Sequence, residues 1–289
     1  MRQFLFLLVF FFSGAAFAQE ARPPLWRVAD EDTTIYLFGT IHLLKPGTVW
    51  MTDDIQSALT GSQKLYLEVS PAEQADAALV QGLVQKYGVL PEGQSLSDHL
   101  PAEDAAALKE GLISLGLGEA AVERFKPWFA GTTFSSLKFL QLGYNPASGV
   151  EAALGSLAQA RGIPVDGLET MEDQLSMFDS MSPSDTKAYV RDLLNEQDKL
   201  SNMMTEVTES WAQGDLKALD EEINDVDELS PTLAEKIIYA RNRTWAGKIK
   251  DMLAQPGQIF IAVGSGHFVG DRSVIDYLEE RGVEAARVQ

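Results

Sequence analysis

Two stretches of the chain place a histidine three residues after a glycine at the end of an apolar run. They are "IYLFGTIHLL" (35–44), with Gly39 and His42, and "FIAVGSGHFVG" (260–270), with Gly264 and His267. The chain has only 3 histidines in 289 residues, so two in the same local pattern carry more weight than either alone. A third stretch, "LYLEV", sets Glu68 among apolar neighbours, where a carboxylate needs a partner or a metal. Two imidazoles and a carboxylate are a common ligand set for a divalent metal. Neutral imidazole offers a lone pair, the carboxylate offers charge, and an open coordination position can hold a water of lowered pKa. The remaining histidine, His99 in "SDHLPAED", falls in a polar turn and reads as a surface residue.

The elements that must carry these groups are strands. "LWRVAD" and "TTIYLFGTIH" read as a hairpin with strands near 25–29 and 34–39. Compact apolar runs at 64–69, 163–168 and 258–263 read as further strands, each next to helical stretches, which points to crossover pairing with a parallel component. Glu68 is read as interrupting the strand 64–69. Helices are expected at 52–62 (Thr52 as cap, Gly61 as stop), at 150–162, around 171–180, 184–213 and 215–223, and from the Ser230 cap, with Pro231 at the first helical position, towards Pro256–Gly257. Pro127 marks a helix start or bend.

These elements describe an α/β protein with a single mixed sheet built from both chain ends. The paired Gly-x-x-His segments can be read as a divergent internal repeat, and a large helical insert, roughly 70–240 and interrupted by strand 163–168, packs over the sheet. In open α/β sheets ligands gather beyond the carboxyl ends of strands, which is where His42, Glu68 and His267 stand. Gly39 and Gly264 are expected to let the backbone turn sharply there.

Arg2, the apolar run "FLFLLVFFF" (4–12) and "AFA" (16–18) have the order of a cleavable secretory leader, with cleavage after Ala18, leaving 19–289 as a single domain. The expected location is periplasmic or secreted, with no stable membrane insertion. Lys plus Arg number 23 against 42 Asp plus Glu, a net charge of −19, which repels nucleic acid and anionic surfaces. With no Cys, an exported chain is held by its core alone and has neither a thiol nucleophile nor thiolate ligands.

The chain resembles the TraB/PrgY/GumN family, which includes the Tiki metalloproteases and belongs to a wider superfamily with erythromycin esterases and ChaN-like haem-uptake proteins. The resemblance rests on five blocks in order: "LFGTIHLL", "LYLEV", "GVEAALGSLAQARGIPVDGLETMEDQLSMF", "ARNRTWAGKI" and "AVGSGHFVGDRSVIDYLEERG". It is closest to the bacterial GumN-like branch. The resemblance implies that His42 and His267 are the signature histidines and Glu68 the essential glutamate. Arg241 and Asn242 match an Arg-Asn pair usually preceded by Glu, a place taken here by Ala240. Glu151 matches an acidic residue at a helix head, and Glu169 with Gln174 matches an "LET…Q" block.

The activity implied is metal-dependent hydrolysis of a peptide or ester bond, with manganese or cobalt favoured by the resemblance and zinc also compatible. His42, Glu68 and His267 would hold the metal. Glu68 would ligate it or act as general base, and Arg241 would polarise a carbonyl or steady an oxyanion. Gly39, Glu151, Glu169, Asn242, Gly264 and Ser265 are read as supporting or binding residues. The competing reading is a non-catalytic binding protein for a peptide signal or for haem. A peptide or small-molecule substrate is expected in either case.

Overall fold

The computed structural model describes residues 21–223 and 230–289; the leader read at 1–18 lies outside the described residues. Strands β1 (Leu25–Ala29) and β2 (Thr33–Thr40) form the expected antiparallel hairpin, with Leu25 opposite Phe38. Asp30 ties the turn, its carboxylate accepting from the backbone N–H groups of Asp32 and Thr33. Helix α1 (Asp53–Thr60) is capped by the Thr52 side chain and leads into β3 (Lys64–Leu67).

The helical middle follows. It contains α2 (Pro71–Ala75), α3 (Ala77–Leu83), α4 (Ala102–Ser114), α5 (Glu119–Val122), α6 (Pro127–Gln141) and α7 (Val150–Arg161). After the short strand β4 (Val165–Gly167) come α8 (Met171–Asp179), α9 (Pro183–Glu196), α10 (Leu200–Gln213) and α11 (Leu216–Ile223). Then come α12 (Pro231–Ala234), a π-helical turn (Glu235–Tyr239) and α13 (Ala240–Met252). The chain closes with β5 (Gly257–Gly264), α14 (Val274–Glu279) and β6 (Ala285–Arg287).

The six strands form one mixed sheet in the order β4-β3-β5-β2-β1-β6. The pairs β2–β5, β3–β5 and β3–β4 are parallel, whereas β1 runs antiparallel to both β2 and β6. The two Gly-x-x-His strands are therefore direct neighbours, one from each chain end, with Gly39 opposite Val263 and Thr40 opposite Gly264.

Both faces of the sheet are covered, which explains why β2 and β5 are apolar at nearly every position. On one face Phe38, Leu65, Phe260 and Ala262 pack with Ile55 and Leu59 of α1, Leu154 of α7 and Trp211 of α10. On the other, Ile35, Leu37, Ile261 and Val263 pack with Trp245 and Ile249 of α13 and Leu278 of α14. The helical middle has a third core of its own, built from Leu108 and Leu112 of α4, Phe134 of α6 and Val190 of α9.

The third core corrects one expectation. The segment 184–213 is two helices, not one, with a break after Glu196 that no glycine or proline marks. Val190 and Leu193 belong to the helical core, whereas Met204, Val207 and Trp211 belong to the sheet core. The chain turns there because its halves serve different cores, a tertiary demand that local propensity does not report. Among the described residues no helix is long and apolar enough to cross a membrane.

Candidate active site

The site lies beyond the carboxyl ends of β3, β5 and β2, side by side in that order. Glu68 is the first residue after β3 rather than an interruption within it. Its Oε1 accepts the backbone N–H of Gly264 at the end of β5 (2.8 Å) and stands 3.8 Å from His42 Nε2 and 3.9 Å from His267 Nε2. Three strand ends thus bring the three signature groups together around one carboxylate oxygen.

Each imidazole is oriented through its other nitrogen. His42 Nδ1 faces Glu151 Oε1 at 2.7 Å, and the same oxygen accepts from the Thr40 hydroxyl. Glu151 sits in the first turn of α7, which docks on the β2 loop through the bond from Val150 N–H to the Ile41 carbonyl (3.1 Å). Gly149 makes this docking feasible, since a Cβ there would overlap the His42 carbonyl. His267 Nδ1 faces Asn242 Oδ1 at 2.6 Å, and the Asn242 amide donates to the Arg272 carbonyl (2.9 Å). That second bond leaves Oδ1 towards the ring, so His267 carries its proton on Nδ1 and turns the Nε2 lone pair to the centre.

Arg241 is held by the fold on every side. Nε donates to Glu169, Nη2 to Glu68 Oε2 (2.5 Å) and Glu169 Oε1 (2.6 Å), and Nη1 to the Ile237 carbonyl (2.9 Å) and His267 Nε2 (3.1 Å). A guanidinium has five N–H donors, and these acceptors take all of them. Gln174 closes the network from α8, donating to Glu68 Oε2 (3.0 Å) and Glu169 Oε1 (2.8 Å). Trp245, one turn along α13 from Arg241, lies under both the guanidinium (4.6 Å) and the His267 ring (4.5 Å).

The electrostatics follow from these contacts. Burial foremost, with Arg241 and His42 adding to it and Glu68 opposing, lowers the His267 pKa to about 3, so the ring is neutral. Desolvation acts to lower the His42 pKa, but the charge and hydrogen bond of Glu151, then Glu68, outweigh it and raise it to about 9. Desolvation acts to raise the Glu68 pKa, but Arg241, the two histidines and the Gly264 N–H bring it down to about 2.

The motif glycines play a role other than the sharp turn expected from sequence, and Ser265 supports the site from within the sheet. Neither Gly39 nor Gly264 has a positive φ, and Gly264 has φ −49°. Their contribution is space rather than a sharp turn. A Cβ on Gly39 would stand 3.2 Å from Ser265 Oγ, and one on Gly264 would stand 3.2 Å from both Glu68 Oε1 and His42 Nε2. Ser265 is buried and donates to the Thr40 carbonyl (2.7 Å), tying the ends of β2 and β5. Gly264→Ala should therefore push Glu68 and His42 apart and lower the melting temperature by a few degrees (about 1 kcal/mol), read by a thermal melt; an unchanged melt would mean that the site has room to spare there.

Thr40, Gly149 and Trp245 were not picked out in the sequence, and Gln174 was noted without a role. Thr40 offered a signal as the residue after the motif glycine. Trp245 lies four residues after Arg241, on the same helix face. Gly149 heads the "GVEAALG" block but becomes meaningful only when α7 meets the β2 loop. His99 is exposed and bonds Gln94, as a surface residue does.

In residue type the donors match a common divalent set, two imidazoles and a carboxylate, with both rings oriented through Nδ1. His267 offers a free Nε2 lone pair, whereas His42, held protonated by Glu151 and Glu68, would have to give up its Nε2 proton before it could bind an ion. In spacing they stand open. Donors around a tetrahedral ion lie about 3.4 Å apart, against 3.8 and 3.9 Å here, and Arg241 shares the His267 Nε2 lone pair. Among the described residues, no group of three or more His, Cys, Asp or Glu is closed into a metal-holding arrangement.

The site opens into a cleft of about 860 Å³ lined by His42, Glu68, Glu151 and Gln174 with the small residues Ala72, Ala152 and Gly155. A doubly covered α/β sheet with a histidine–carboxylate cluster and a cleft at its strand ends defines the class of fold. The chain belongs to the TraB/PrgY/gumN family, whose model matches residues 24–287. It is 22% identical to a metalloprotease TIKI homolog of Amphimedon queenslandica over 91% of this chain and 61% of the relative. It is 25% identical to metalloprotease TIKI1 of Homo sapiens (90% and 61%) and 26% identical to metalloprotease TIKI1 of Danio rerio (90% and 62%). The chain thus spans about three-fifths of the length of these relatives. No solved structure matches it.

Proposed function

We propose that the protein is a periplasmic or secreted hydrolase of peptide or ester bonds that works with a divalent metal held by His42, His267 and Glu68. The observation that carries this reading is the convergence of both Nε2 atoms on Glu68 Oε1, each imidazole being oriented through its Nδ1. A bound metal would supply a water of lowered pKa. Manganese or cobalt is favoured by the family and zinc is compatible with the donors. Distant similarity to metalloproteases supports the same reading.

In this reading Glu151 and Asn242 set the histidine tautomers, and Glu68 holds the metal or takes a proton from the attacking water. Arg241, with all its donors engaged, holds Glu68 and Glu169 in place rather than meeting an oxyanion. The cleft lets one face of a chain-like substrate reach Glu68 beside His42.

The test is metal content and hydrolysis of the mature protein loaded with Mn, Co or Zn, screened on peptide and ester libraries. Wild type is expected to bind about one ion per chain, and His42→Ala and His267→Ala to lose both the ion and the turnover. Unchanged metal content and activity in both variants would overturn the proposal.

One observation favours a second reading, a metal-free binding protein for a peptide signal: the acidic side chains of the site are already partnered by Arg241, Gln174, Thr40 and His42. Peptide binding that persists after chelation, with no turnover under any metal, would select it.

A further inference from the structure

A second cleft, of about 1000 Å³, opens on the helical middle, where α8, α9, α10 and α11 meet the π-helical turn. It shares no lining residue with the cleft at the strand ends. Its walls include Phe178, Met181, Tyr189, Met203 and Ile237, all half-buried. Its rim is acidic: Asp192, Glu196, Glu206, Glu221 and Glu222 line it, with Lys199 as the one basic lining residue among the described residues. Two of the carboxylates are ion-paired, Glu196 with Lys199 at 2.6 Å and Glu221 with Lys217 at 2.9 Å, and carboxylates still outnumber lysines at the mouth.

Those features define an occupant. A hollow of this size with an apolar wall and a polar rim takes a small organic molecule rather than a bare ion. Carboxylates around the mouth repel an anion and attract a cation, and a whole-chain charge of −19 reinforces the sign. Aromatic rings within the wall favour a cationic head further. Two methionines make the surface adaptable, so it selects a class of ligand more than one shape. We infer that this cleft is a binding site for small amphiphilic cations, amines or quaternary ammonium compounds with an aliphatic or aromatic body. The site is independent of the proposed hydrolytic centre and stands or falls without it.

Trp128 provides the readout, because its ring stacks on Phe178 at 5.6 Å with an interplanar angle of 13°. Titrating the mature protein with decyltrimethylammonium below its micelle concentration should give a saturable change in tryptophan fluorescence. Decyl sulfate, with the same tail and the opposite charge, should bind at least about tenfold more weakly. Exchanging two exposed rim charges together, Glu206→Gln and Glu221→Gln, should weaken the cation by about fivefold and leave the melting temperature within a degree or so. Met203→Trp, which partly fills the hollow, should weaken binding at least about fivefold, read by calorimetric titration because the new indole adds to the fluorescence, while far-UV circular dichroism keeps its wild-type form.

Equal affinity for the cation and the sulfate would overturn the inference. So would the absence of a saturable signal, or cation binding untouched by both the rim and the filling variants, which would place the probe elsewhere on an acidic surface. If Met203→Trp does not fold, the rim pair still decides the matter.

Discussion

Arg241→Met is expected to destabilise the fold by about 3–5 kcal/mol, the cost of breaking a buried charge network by removing one partner. The side chains of Arg241, Glu68 and Glu169 are only 15%, 12% and 11% exposed, so the carboxylates left behind have little water to turn to. Methionine keeps the length of the aliphatic stem and its contact with Trp245, which isolates the loss of charge. Arg241→Lys should recover little, since one ammonium cannot span Glu169, Glu68, the Ile237 carbonyl and His267 together. Urea unfolding followed by tryptophan fluorescence gives the number. If the single variant does not fold, Arg241→Met combined with Glu68→Gln and Glu169→Gln should, because it removes the stranded charges with their partner. A loss below about 1 kcal/mol would mean that the network contributes no more than surface ion pairs do.

Under the proposed function, Glu68→Gln is expected to lower turnover by a factor on the order of 10²–10⁴, the range for a lost general base. The amide oxygen can still accept the Gly264 N–H, so the geometry of the β5 end survives while the charge facing both histidines goes. Metal content measured on the loaded protein then separates the two roles proposed for Glu68. Retained metal with lost turnover assigns the base, and loss of both assigns the ligand. Unchanged turnover removes Glu68 from the chemistry altogether.

The same substitution has a signature in acid. The Glu68 pKa is depressed from 4.5 to about 2 in the fold, so its ionised form stabilises the native state above about pH 4.5 and that contribution is lost as the pH falls towards 2. In metal-free protein the stability gap between wild type and Glu68→Gln should therefore narrow across that window. A constant gap would show that the charge of Glu68 is not what the fold relies on.

Much of this architecture was legible because it rests on short-range pattern. The apolar runs of β2 and β5 announced strands buried on both faces, and Thr52, Pro127 and Ser230 with Pro231 announced helix starts that the structure keeps. The meeting of His42, Glu68 and His267 was legible from a topological rule about parallel strand ends. What was not legible depends on partners distant in the chain. Nothing local says that Glu151 serves His42 while Glu169 serves Arg241, because each assignment is made by how α7 and α8 dock. The part played by the motif glycines is hidden because sequence cannot separate a glycine needed for φ from one needed for room. Arg241 was read as facing a substrate because five acceptors from four separate segments cannot be counted from its own neighbourhood.

The two signature histidines share a motif, yet His42 is 61% exposed at its side chain and His267 only 5%. A visitor from solvent therefore meets them in a fixed sequence, the outer ring at the threshold and the inner one only after crossing the carboxylate between them. The shared motif yields not a symmetric pair but a doorway and a back wall. A bulky reagent or inhibitor could block the first without touching the second, and the inner histidine would keep its place on Asn242 while the entrance was closed.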